Sequence, residues 1–206
     1  MEETMNSYLS FAENDYQFFR HAYDSGNKGT ALAALGQNIC ERYLKHIIST
    51  YARPENAREA HDKENILRTH SLNKLMNYIS EKMGIDIPED TELRMDVIDG
   101  YYFTTRYPGS ESFIPSDREI NKANRAVDAA RDFTLQVCRE LDQEQDFNEN
   151  HDEYSDFGFE DDEREWLNKK KRAWLALFFV FNEFSQSAHT AENLFLPESP
   201  YFHGND

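Results

Sequence analysis

Between Gly29 and Tyr51, apolar residues recur at a spacing that only a helix can gather onto one side. Ala31, Leu32, Leu35, Ile39, Tyr43, Leu44, Ile47 and Ile48 form one wide stripe. Small residues, Ala33, Ala34 and Gly36, lie among them and let another helix approach closely. Pro54 closes the segment. A stripe of this width has to be covered by other helices, so the rest of the chain must supply them.

It does so on both sides. Residues 4–24 place Tyr8, Phe11, Ala12, Phe18, Phe19, Ala22 and Tyr23 near a helical period, with Asn6 or Ser7 as the cap and Ser25-Gly26-Asn27 as the stop. Residues 55–67 are polar and predict a short, weakly packed helix. After Thr69-His70-Ser71, the spacing of Leu72, Leu75, Met76 and Ile79 predicts a core helix that stops at Gly84. Pro88 opens the next helix, with Glu89, Asp90 and Glu92 at the positive end of its dipole and Leu93, Val97, Ile98 and Tyr101 as its apolar residues. Thr104–Pro115 reads as a loop. Ser116 or Asp117 caps a long helix over about 117–141, with Ile120, Ala123, Val127, Ala130, Phe133, Val137, Cys138 and Leu141 inward. No repeat and no strand-rich region interrupts this pattern. The expected fold is all-α, an antiparallel helical bundle of four to five core helices over residues 1–141.

From Asp142 the character changes. Residues 1–141 carry 17 Lys and Arg against 23 Asp and Glu, whereas residues 142–206 carry 5 against 16. Asp142–Glu165 reads as a solvated acidic linker in which Phe147, Tyr154, Phe157 and Phe159 are interspersed. An extra C-terminal helix is expected over about 161–190, carrying Trp166, Trp174, Leu175, Phe178, Phe179 and Phe181. That aromatic load is too great to leave in water, so residues 142–206 are expected to pack on the bundle or at a dimer interface. The tail from Leu194 reads as extended.

The net charge of −17 opposes strong non-specific nucleic-acid binding, because phosphate backbones require Lys and Arg. A local basic pocket in the first segment is still compatible with it. Cys40 and Cys138 fall inside helical apolar patterns and read as buried thiols. The longest apolar run, Ala173–Phe181, is far short of the ~20 residues that span a bilayer, and MEETMNSY lacks the features of a signal peptide. The expected location is cytoplasmic, without membrane association.

Three fragments then carry a resemblance. Gly36-Gln37-Asn38-Ile39-Cys40-Glu41-Arg42-Tyr43-Leu44-Lys45-His46 is followed by His70, Leu72 and Leu75 in an H-x-L-x-x-L arrangement. Tyr102, Arg106, Tyr107 and Pro108 then form a Y-x-x-x-R-Y-P arrangement. In this order, over about residues 5–141, the fragments resemble the HEPN family, small helical domains that bind nucleotides or, in some branches, cut RNA. The RNase branch carries Arg, four to six residues, then His, which supplies charge stabilisation and acid/base chemistry. No arginine here has a histidine at that spacing: Arg42 and His46 are separated by three residues, Arg68 and His70 by one. Catalytic residues are therefore assigned to none, and a metal-independent endoribonuclease is the alternative.

Binding is the favoured reading. Lys45, His70, Lys74 and Arg106 could converge on a phosphate or nucleotide, with His70 at a helix N-terminus and Tyr107 or Tyr102 stacking on a base. Against this, His70 could serve only as a cap, Tyr102, Tyr107 and Pro108 only as loop packing, and Arg106 only as a partner of Glu41 or Asp99. His151, Asp152, Glu153 and Asp156 lack the ligand spacing of a calcium loop, so no metal and no cofactor is expected. The resemblance implies a homodimer and a separate nucleotidyltransferase partner in a toxin–antitoxin or defence-type system. A third possibility is an interaction scaffold that works through residues 142–206.

Overall fold

The computed structural model describes residues 7–152, with side chains through residue 143. Seven helices and no strand occur among the described residues. In chain order they are α1 (Tyr8–Asp24), α2 (Thr30–Tyr51), α3 (Ala57–Ile66), α4 (Leu72–Met83), α5 (Glu89–Asp96), α6 (Tyr101–Thr104) and α7 (Asp117–Asp152). The fold is an all-α helical bundle.

The stripe on α2 forms its centre. Ile39, Cys40, Tyr43, Leu44, Ile47 and Ile48 are fully buried. Side-chain contacts fix how the neighbours run. Glu13, Tyr16, Arg20 and Tyr23 of α1 meet Arg131, Asp128, Asn124 and Asn121 of α7 in that order, so the two helices are antiparallel. Tyr43 meets Glu13 while Gly36 lies at Phe19, so α1 is antiparallel to α2 as well. Gly36 sits where α1, α2 and α7 come closest. A Cβ there would lie 3.0 Å from the Ala123 Cβ and 3.3 Å from the Phe19 ring. The absent side chain is what lets the three helices meet.

Helix ends follow local chemistry. Ser7 and Ser10 cap α1 reciprocally, and Asn56 caps α3. Gly84 ends α4 in the left-handed region, at φ 67°. The expectation that α3 packs weakly holds, since none of its residues is buried. Lys63 on α3 nevertheless donates to the Ser49 and Ala52 carbonyls, placing a cation at the negative end of α2.

Three expectations need correction. The helix opened by Pro88 stops at Asp96, Gly100 turns the chain at φ 96°, and the short α6 follows. The inward residues are therefore Met95, Ile98 and Tyr101, while Leu93 and Val97 stay exposed. On α1 only Ala12, Phe19 and Ala22 are buried, and Tyr8, Phe11 and Phe18 face solvent. Helix α7 continues to Asp152 rather than ending near 141, so the start of the acidic segment is helical. The helix expected over 161–190 and the tail lie outside the described residues, as do the side chains of His151, Asp152, Glu153 and Asp156. No helix among the described residues is long and apolar enough to cross a membrane.

Candidate functional site

Helix α2 exposes little polar surface, yet Gln37, Glu41 and Lys45 all lie on it at four-residue spacing and all are buried. Buried polar groups must find partners, and here they do so by organising the loops around them. The Gln37 amide donates to the His70 carbonyl at 2.8 Å and accepts the Tyr102 backbone N–H at 2.7 Å. One side chain thus ties the loop before α4 to the start of α6. Glu41 accepts from the Lys45 ammonium at 2.6 Å through one oxygen, while the other lies 3.1 Å from His70 Nδ1.

His70 leads outward from this buried pair, its side chain 48% exposed. Its ring stacks on Tyr102 with centroids 5.4 Å apart and 11° between planes. Phe103 meets both rings edge-on, at 6.1 and 5.0 Å. The Tyr102 hydroxyl accepts from Arg106 Nη1 at 2.7 Å, and the Arg106 guanidinium lies over Tyr102 at 5.1 Å and Tyr107 at 5.7 Å. The result is a continuous ladder from the interior to solvent: Lys45, Glu41, His70, Tyr102, Arg106, Tyr107. Its outer end is open, since Phe103 is 51% and Tyr107 56% exposed.

Of the residues singled out from sequence, Lys45, His70, Arg106 and Tyr107 are joined through this ladder. Lys45 differs from the others because it is buried and held by Glu41. Lys74 is exposed one turn into α4, and its ammonium makes no contact with the ladder. Arg106 pairs with neither Glu41 nor Asp99. His70 is not the cap of α4; Ser71 is.

The anion site expected at the start of α4 is already filled. The Asp99 carboxylate accepts the N–H groups of Leu72 at 3.0 Å and Asn73 at 3.3 Å, together with the Ser71 hydroxyl at 2.9 Å. A helix N-terminus attracts negative charge, and here the chain supplies its own. Phe103 was not singled out from the sequence, and Asp99 entered only as a partner for Arg106. Nothing local marks Asp99, because its partners lie 26 to 62 residues away.

Arg42 and His46, the near-miss for a catalytic pair, are engaged separately. Arg42 pairs with Asp15 and lies over the Phe11 ring at 5.9 Å. His46 Nδ1 lies 3.2 Å from the Thr50 hydroxyl, and its ring meets Tyr51 edge-on at 6.3 Å. Burial holds the His46 imidazole below its usual pKa, partly offset by Asp142. Burial also pushes the Cys40 and Cys138 thiols up, so neither has thiolate character. No group of His, Cys, Asp and Glu able to hold a metal ion occurs among the described residues.

The family model of the HEPN domain matches residues 57–141. That span contains His70, Lys74, Asp99, Tyr102, Phe103, Arg106 and Tyr107, whereas Gln37, Glu41 and Lys45 precede it. No curated protein and no solved structure matches the chain.

Proposed function

We propose that this chain, which carries a HEPN domain, is a non-catalytic nucleotide-binding module whose ligand lands on the outer end of the ladder. The carrying observation is the contact series from Glu41 through His70 and Tyr102 to Arg106. It sets flat rings beside a guanidinium with no carboxylate partner among the described residues. Rings stack on bases, and a guanidinium can fork onto a phosphate. The role assigned to Lys45 is indirect: it holds the Glu41 carboxylate in place, and Glu41 sets the His70 ring. Lys74 is a flanking cation. In this reading the module acts beside a separate nucleotidyltransferase in a toxin–antitoxin or defence-type pair, and as a homodimer.

Thermal unfolding of the full chain across a panel of nucleotides tests the binding. A ligand at about 100 times its Kd adds roughly 2.7 kcal/mol to native-state stability, which moves the midpoint by several degrees. A panel that leaves the midpoint unmoved ends the reading. Co-purification with a nucleotidyltransferase encoded beside it tests the partner.

One observation favours RNA cleavage as the second reading. The Glu41 carboxylate 3.1 Å from His70 Nδ1 is the kind of partner that orients a histidine for proton transfer. RNA cut by the pure protein, with the cutting lost in His70→Ala, supports this alternative. RNA intact after prolonged incubation removes it.

A further inference from the structure

The ladder's charge balance says what kind of nucleotide it takes. Four cationic side chains belong to the ladder or lie within four residues of His70 in sequence, but they are not equivalent. Lys45 is neutralised by Glu41 at 2.6 Å, and both are buried. The start of α4, which would otherwise hold a second phosphate, is closed by Asp99. Lys74 and Arg68 are exposed, but neither makes a hydrogen bond or ring contact with the ladder. That leaves Arg106 as the one guanidinium or ammonium joined to the ladder and lacking a carboxylate among the described residues. Around it the rings predominate: Tyr102, Phe103, Tyr107 and the half-exposed His70.

Sites built for polyphosphates gather several cations and a free helix end, because each added phosphate brings further negative charge. This site offers one such contact and several aromatic faces, inside a protein of net charge −17. We infer that, within the nucleotide-binding reading on which this rests, the ligand is a nucleotide recognised through its base and a single phosphate on Arg106, with further phosphates adding nothing. A free nucleoside monophosphate and one unit of a single strand both present this chemistry.

Calorimetric titration of the full chain with adenosine and its mono-, di- and triphosphate reads the inference directly, with guanosine, cytidine and uridine series in parallel. The monophosphate is expected to bind about tenfold more tightly than the nucleoside, as one charge-assisted contact should give, and the di- and triphosphate no more tightly than the monophosphate. Arg106→Met should bring the monophosphate down to the nucleoside's affinity. Tyr107→Leu and Phe103→Leu should weaken nucleoside and monophosphate alike, by roughly five- to a hundredfold for a lost stacking ring. These side chains are exposed, and an unchanged melting midpoint without ligand verifies that the variants fold. A short oligoadenylate without a terminal phosphate separates the sources. Tighter, Arg106-dependent binding of the strand assigns the ligand to a single strand; weaker binding assigns it to the free nucleotide. A triphosphate that binds tenfold or more above the monophosphate overturns the inference and leaves the binding reading standing. If no nucleotide or strand binds, both fall.

Discussion

Two parts of the bundle handle polar side chains in opposite ways. Between α1 and α7 the charges close on one another. Glu13 takes Arg131 through both oxygens and the Tyr43 hydroxyl through one, and Asp128 takes Arg20 and Tyr16. Arg131 lies over the Tyr16 ring at 4.8 Å, which completes the clasp. Between α2, α4 and α6 the series begins equally well paired, at Lys45 and Glu41, but it ends on Arg106 and two half-exposed rings. The first arrangement spends its interactions on holding helices together. The second is closed at its base and open at its tip, which is how a rigid scaffold presents binding capacity. Glutamate, arginine and tyrosine serve in both parts; what differs is whether the last member has a partner.

This contrast can be broken most forcefully at Glu41. Glu41→Ala leaves the Lys45 ammonium buried and unpaired, and should cost about 3–5 kcal/mol in chemical denaturation. If Lys45→Met on top of it restores most of that loss, the cost came from the orphaned charge and not from the cavity. Next is Asp99→Ala, which strips the carboxylate from the start of α4 and should cost about 1–2 kcal/mol, the range for a lost cap. It also frees the Leu72 and Asn73 N–H groups, so sulfate should stabilise this variant more than the parent. On the clasp side, Glu13→Ala should cost on the order of 1 kcal/mol, because its side chain and that of Arg131 are each about 30% exposed and water compensates in part. Arg106→Met, at the open tip, should change stability by less than about 0.5 kcal/mol. A larger loss there would mean that the tip is structural and would erase the distinction between the two parts.

A smaller effect comes from His46. Burial lowers its folded-state pKa below the 6.5 of the free side chain, so the unfolded chain binds its proton first. Stability should therefore be fully present above about pH 7 and decline as the pH falls through the unfolded value. Urea midpoints for parent and His46→Asn between pH 7 and 5 check this, and the variant should show the flatter slope.

Much of the scaffold was legible because it depends on neighbours in sequence. Ser7 and Gly84 punctuate helices by local chemistry, and the α2 stripe announces its burial by period alone. Gly36 among alanines signalled a close approach, and α1 and α7 supply it. The site was only half legible. His70, Arg106 and Tyr107 could be proposed from their motif, and they share one ladder. Lys45 could be proposed with them, but nothing in the sequence shows that it pairs with Glu41 in the interior; only the packing of α4 and α6 over α2 puts the two inside. Asp99 was invisible as a cap because its partners are distant in the chain. The exposure of Phe11 and Phe18 was missed for a related reason, since periodicity locates a stripe without saying how much of its width another helix will cover. Acidic composition from Asp142 masks the continuation of α7 past residue 141, although Glu and Gln are good helix formers.

The amide of Gln37 has one last implication. Because it grips the His70 carbonyl and the Tyr102 N–H at once, the two stacked rings are set at their spacing before any visitor arrives. Recognition at such a place needs little rearrangement, so most of the entropy of ordering has been settled during folding. In the proposed binding, loosening this single side chain would weaken stacking at the outer end long before it unfolded the bundle.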